Sequence, residues 1–132
     1  MLRILLSLLF LTPLSPAFAQ SPLDAAGFDA LTKGKTFYYS SDGQPYGGEE
    51  YLDNHRVRWS FLDGHCQNGK WWQQGENICF AYDESPDVHC WTFEQGTSGL
   101  IAHLAGDPPG RALYEMQQNN EPLYCLGPDV GT

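Results

Sequence analysis

Cys66 and Cys90 each directly follow a histidine, and Cys79 and Cys125 complete a set of four thiols. Together with His55, His65, His89 and His103, these groups could ligate zinc or copper, supply a nucleophile, or close two disulfides. Spacing decides between these chemistries. The intervals between the cysteines hold 12, 10 and 34 residues, so there is no C-x-x-C pair. No H-x-H or H-x₃-H spacing occurs either. Adjacent residues on a strand point to opposite faces, which makes His65-Cys66 and His89-Cys90 poor chelating pairs. An even number of cysteines in a short exported chain reads as two disulfides. No metal and no cofactor is expected.

Other reactive residue types occur without the pattern that catalysis needs. Ser98 stands in "GTSG", which is not the G-x-S-x-G elbow and has the chemistry of a turn. Glu49-Glu50 and Asp83-Glu84 are adjacent carboxylates. Neighbouring carboxylates on a strand diverge, and those in a turn are solvated, so neither pair faces across a groove as glycoside hydrolysis requires. No catalytic residue is assigned, and the chain reads as a binding or interaction protein rather than an enzyme.

Four cysteines allow three pairings, and local symmetry selects one. "NICFAYDESPDVHCWTF" carries two apolar-rich runs on either side of "DESPD", a turn-forming stretch. Folded about Glu84-Ser85, it sets Cys79 opposite Cys90, Phe80 opposite His89 and Ile78 opposite Trp91. Opposed Cβ atoms in an antiparallel pair lie about 4.5–5.5 Å apart, near the reach of a disulfide. Cys79–Cys90 is therefore expected within a hairpin, and Cys66–Cys125 follows by elimination. On the chain-entropy account the longer loop contributes about 4 kcal/mol and the shorter about 3 kcal/mol. The same fold sorts side chains onto two faces: Ile78, Phe80, Tyr82, His89, Trp91 and Phe93 on one, Cys79, Ala81, Val88 and Cys90 on the other.

The compartment that would oxidise these thiols is suggested by the start of the chain. Arg3 forms a short positive region, Leu2 to Leu11 an apolar run, and Ala17-Phe18-Ala19 the small-residue pattern of a cleavage site. Residues 1–19 read as a secretory signal peptide. The apolar run is shorter than the roughly 20 residues a membrane span needs. The expected product is periplasmic or secreted and is not inserted in the membrane. Of 132 residues, a 19-residue leader leaves 113, residues 20–132, enough for one domain. Without Arg3 the chain carries 6 basic and 16 acidic residues, a net of −10 with histidines neutral. That charge repels phosphate backbones and anionic lipids, so nucleic acid is excluded as a partner.

The elements follow from patterning. "SPLDAAGFDALTKGKTF" reads as a short helix, with Ser21 as cap, Pro22 in the first turn and an apolar stripe of Leu23, Ala26, Ala30 and Leu31. Lys33-Gly34 supplies the stop. Beyond it come short runs separated by Gly, Pro, Asn and Asp: "KTFYYS", "GEEYLD", "RVRWSF", "GKWWQQ", "NICFAY", "VHCWTFE", "GLIAHL", "ALYEMQ" and "PLYCLG". In "RVRWSF" the apolar residues Val57, Trp59 and Phe61 alternate with Arg56, Arg58 and Ser60, the period of a strand with one wet face. "SSDGQPYGG", "LDGHCQNG" and "GDPPG" read as turns or loops. Eight or nine sequential strands predict a mainly β fold: a small antiparallel meander barrel with a short N-terminal helix, stapled by two disulfides, with a β-sandwich as runner-up. Closure removes the exposed edges.

"LTKGKTFYY" after a short helix resembles the opening strand of small lipocalin-like (calycin-type) barrels. "GKWWQQGENICF…CWTF" is similar to a run in uncharacterised exported bacterial domains thought to share that barrel. The resemblance implies a lipocalin-like fold and brings no activity with it.

The aromatic content, 4 Trp, 7 Tyr and 7 Phe, carries the functional expectation. Bulky rings fill a small barrel, and such barrels often hold one apolar molecule fixed by a few polar groups. A ligand cavity lined by Trp59, Phe80, His89 and Trp91 is expected. The alternative is a filled core in an accessory protein that meets another periplasmic protein through its surface. Trp71 and Trp72 point opposite ways on a strand, so one of them could be exposed beside Tyr46 or Tyr51 and stack on a sugar or a partner.

Overall fold

In the computed structural model of the protein, residues 13–16, 21–106 and 110–127 are described. The leader read from residues 1–19 falls, apart from residues 13–16, outside them. The described chain forms one helix, α1 (Ala25–Thr32), and eight strands: β1 (Thr36–Ser41), β2 (Gln44–Tyr51), β3 (Arg56–Ser60), β4 (Cys66–Gln74), β5 (Asn77–Tyr82), β6 (Val88–Gly96), β7 (Gly99–Leu104) and β8 (Ala112–Asn119). Each strand pairs antiparallel with the next, and β8 pairs back to β1, closing the barrel. The expected meander barrel is therefore the fold. Both disulfides join the expected cysteines, Cys66–Cys125 and Cys79–Cys90. The β5–β6 register matches Cys79 with Cys90, Phe80 with His89 and Ile78 with Trp91.

Closure gives the barrel two different ends. The hairpin loops β1–β2, β3–β4, β5–β6 and β7–β8 gather at one end. The helix and the remaining loops gather at the other. β1 and β2 join through Asp42-Gly43, both with positive φ, the signature of the two-residue turn that follows strand twist. Ser98 lies in the two-residue loop between paired Gly96 and Gly99.

The helix closes its end with a single ring. Its cap is Asp24, whose carboxylate accepts from the Gly27 N–H at 2.8 Å, rather than Ser21, and Pro22 precedes the helix. The apolar stripe also differs from expectation. Ala26 and Ala30 face solvent, while Phe28 and Thr32, one turn apart, are buried. Phe28 is fully buried and meets Phe93, Trp71, Tyr51 and Phe80 at centroid distances of 4.5, 5.0, 5.4 and 6.4 Å. A stripe of alanines buries too little apolar area to hold an eight-residue helix on a barrel; one phenylalanine in the mouth does so. Hydrogen bonds from Leu23 N–H to the Phe93 carbonyl and from Ala25 N–H to Gln73 Oε1, both 2.7 Å, fix its approach.

Two glycine-rich stretches expected as loops are partly strand. β2 begins at Gln44 and β4 at Cys66. The glycines serve close approach across the wall. A Cβ at Gly47 would collide with the Trp59 indole, and one at Gly69 with the Ala81 carbonyl. "PLYCLG", in contrast, is not a strand. With β1 and β8 already paired, it crosses the outer wall as an extended strap. Leu123 N–H donates to Glu50 Oε2 at 3.0 Å and Leu126 N–H to the Gly64 carbonyl at 2.6 Å. Glu50 also faces Arg58 at 3.8 Å beneath it. Leu123 and Cys125 are buried.

Phe28→Ala should lower unfolding free energy by about 3–5 kcal/mol, as for large buried rings elsewhere. Leu31→Ala, on a partly buried position, should cost clearly less. Urea midpoints measured with the disulfides intact check the ranking.

Candidate functional site

Inward positions alternate along the strands, apart from register shifts on either side of Tyr39, and the rings they carry fill the barrel unevenly. At the helix end Phe28, Phe37, Tyr51, Trp71, Ile78 and Phe93 form a continuous buried cluster. His55 stacks on Trp71 at 3.6 Å and completes that end. Towards the hairpin-loop end a cavity of about 200 Å³ remains. The four residues expected to line a cavity, Trp59, Phe80, His89 and Trp91, all line it. They come from β3, β5 and β6, and the period of two places each on the inner face. Phe80 sits deep, 4 % exposed, and His89 is exposed at the rim. Tyr46 and Phe61 add a rim cluster with Trp59, at centroid distances of 5.4–5.9 Å. Arg111 covers the Tyr46 ring at 4.9 Å.

The stacking surface considered around Trp71 and Trp72 does not assemble. Trp71 is buried and Trp72 half-buried. Tyr51 lies inside the core and Tyr46 belongs to the rim.

Sequence patterning did not anticipate the polar part of the cavity wall. Glu49, on β2, is 2 % exposed and lines the cavity. Its Oε1 accepts from the Tyr82 hydroxyl at 2.9 Å, and its Oε2 has no hydrogen-bond partner among the described residues. Beside it the Tyr39 and Tyr51 hydroxyls are hydrogen-bonded to each other at 2.9 Å, and all three tyrosines line the same cavity. The divergence expected of Glu49-Glu50 is what the barrel uses. Glu50 turns outward to the strap, and Glu49 turns inward. A signal was available in "GGEEY": Glu49 shares parity with Tyr51, so a buried Tyr51 implies an inward carboxyl.

Burial dominates the electrostatics. Loss of water pushes the Glu49 carboxyl well above its ordinary range, the Tyr82 hydrogen bond only partly opposing it. Burial likewise raises Tyr39, Tyr51 and Tyr82. The site thus favours a neutral carboxyl among neutral phenols when nothing else is bound, and it stores the capacity to become an anion. Among the described residues no group of three or more His, Cys, Asp or Glu is placed to hold a metal. No protein-family model, curated protein or solved structure matches the chain.

A buried acid that keeps its proton longer when folded destabilises the fold as pH rises. From about pH 4.3, where an unfolded glutamate ionises, up to the raised folded value, the folded chain holds the extra proton. Stability then falls by at most about 1.4 kcal/mol per pH unit. Glu49→Gln should remove this slope. Its stability relative to the unmodified protein should rise from pH 4 to pH 7 in denaturant titrations; parallel curves would refute the burial argument.

Proposed function

We propose that this protein is an exported, soluble barrel that binds one small apolar or aromatic molecule in the open half of its interior. The observation that carries the reading is the unfilled, ring-lined cavity at the hairpin-loop end, opposite an end sealed by Phe28. At about 200 Å³ it exceeds the roughly 150 Å³ of an apolar cavity that takes up benzene. A few polar groups on an aromatic wall are the make-up of small-molecule sites. A role confined to the outer surface has less support, because it gives no reason to leave the interior hollow.

Export is supported by the leader pattern in residues 1–19 and by two disulfides, which suit a non-reducing compartment. The reading places the protein in the periplasm or the medium. Among the described residues no helix is long and apolar enough to cross a membrane.

Trp59 and Trp91 stand in the cavity wall, so an occupant should change their emission. Titration with indole, 2-phenylethanol, fatty acids and haem-like compounds should give a saturable response for at least one, with a matching rise in melting temperature. Ala102→Leu, which grows into the cavity from β7, should abolish that response while the protein stays folded. Absence of any saturable change across the panel would overturn the proposal.

A further inference from the structure

The cavity wall is chemically one-sided, and this narrows the kind of guest. We propose that the occupant is a small aromatic or short alkyl amine whose ammonium group pairs with Glu49; this rests on the reading of the cavity as a binding site.

Three features of the wall support it. Among the described residues, Glu49 is the only carboxylate that lines the cavity and no lysine or arginine does; His89, exposed at the rim, is the only basic side chain among them. Glu49 Oε2 is buried without a hydrogen-bond partner among the described residues, so a guest N–H that donates there would satisfy it. The surrounding rings, Tyr39, Tyr51, Phe80, Tyr82, Trp91 and Phe93, present aromatic surface in which the negative faces attract a cation.

The alternatives fit less well. A carboxylate guest would bring a second negative group to Glu49, and no lysine or arginine among the described lining residues would offset it. A hydrocarbon would fill the space and leave Oε2 as it was. The formal net charge of −9 also raises the local concentration of cations around the molecule. When an ammonium enters, Glu49 releases its proton to solvent, and the resulting carboxylate is held by both the guest and the Tyr82 hydroxyl in a charge-assisted contact. The guest's organic body then lies against the rings towards the rim.

The test is an isosteric series measured by calorimetry on the disulfide-intact protein at pH 7: 2-phenylethylamine, 2-phenylethanol and 3-phenylpropionate. The amine should bind at least about tenfold more tightly than the alcohol, a difference that a charge-assisted hydrogen bond supplies, and the acid should bind most weakly. The preference should persist at roughly 0.5 M salt, where surface attraction is screened and a buried pair is not. Glu49→Gln should bring amine and alcohol within about twofold of each other while retaining the alcohol. If that variant does not fold, the series on the unmodified protein decides. Equal binding of amine and alcohol, preference for the acid, or loss of the preference in salt would overturn the amine assignment and leave the cavity a binding site. Binding of none of the three would overturn the amine assignment, while the cavity reading stands or falls with the wider panel above.

Discussion

A slip of one residue between β5 and β6 would set the inner residues of one strand against the outer residues of the other. Either Phe80 and Tyr82 or Trp91 and Phe93 would turn to solvent, and one of the two sulfurs would turn inward. The Cys79–Cys90 bond excludes that slip, because only one register brings these two cysteines opposite each other. From this hairpin the alternation propagates through hydrogen-bonded neighbours in both directions until β8 meets β1. The identity of every cavity-lining residue depends on that parity, including Glu49 three strands away.

Given the parity, the division of the interior follows from where large rings fall. The helix end receives Phe28 in addition to what the strands supply, and it fills completely. The loop end receives no such plug. Its strand positions carry rings that stand around a space instead of across it, and its polar groups bond to one another: Tyr39 with Tyr51, Tyr82 with Glu49. One barrel thus holds a half filled by buried rings, which supports stability, and a hollow half with a buried carboxylate oxygen that has no partner among the described residues.

The parts legible in the sequence are those encoded locally. The β5–β6 hairpin is short, its turn chemistry is explicit, and period two sorts its side chains without knowledge of the rest. Trp59, Phe80, His89 and Trp91 could therefore be placed on one cavity. What escaped was encoded at a distance. Phe28 is one ring in a helix with no clear stripe, and its burial depends on four rings from four other elements. Gly47 and Gly69 look like turn residues until the side chains packed over them are known. Divergence of Glu49 and Glu50 is legible, but which of the two turns inward is not until the strap is seen to claim Glu50. The strap itself reads as a ninth strand because its residues suit one; closure of the barrel removed any edge for it to join.

The strap also imposes an order of assembly. The ribosome delivers residues in sequence, so Cys79 meets Cys90 after 11 residues, whereas Cys66 waits 59 residues for Cys125. Throughout that interval Cys66 is the odd thiol of a nascent chain, with Cys79 and Cys90 as the nearer partners. Correct pairing is thus favoured by rapid closure of the hairpin bond. The covalent step that fastens the strap across the outer wall behind Glu49 becomes available only once Cys125 has emerged.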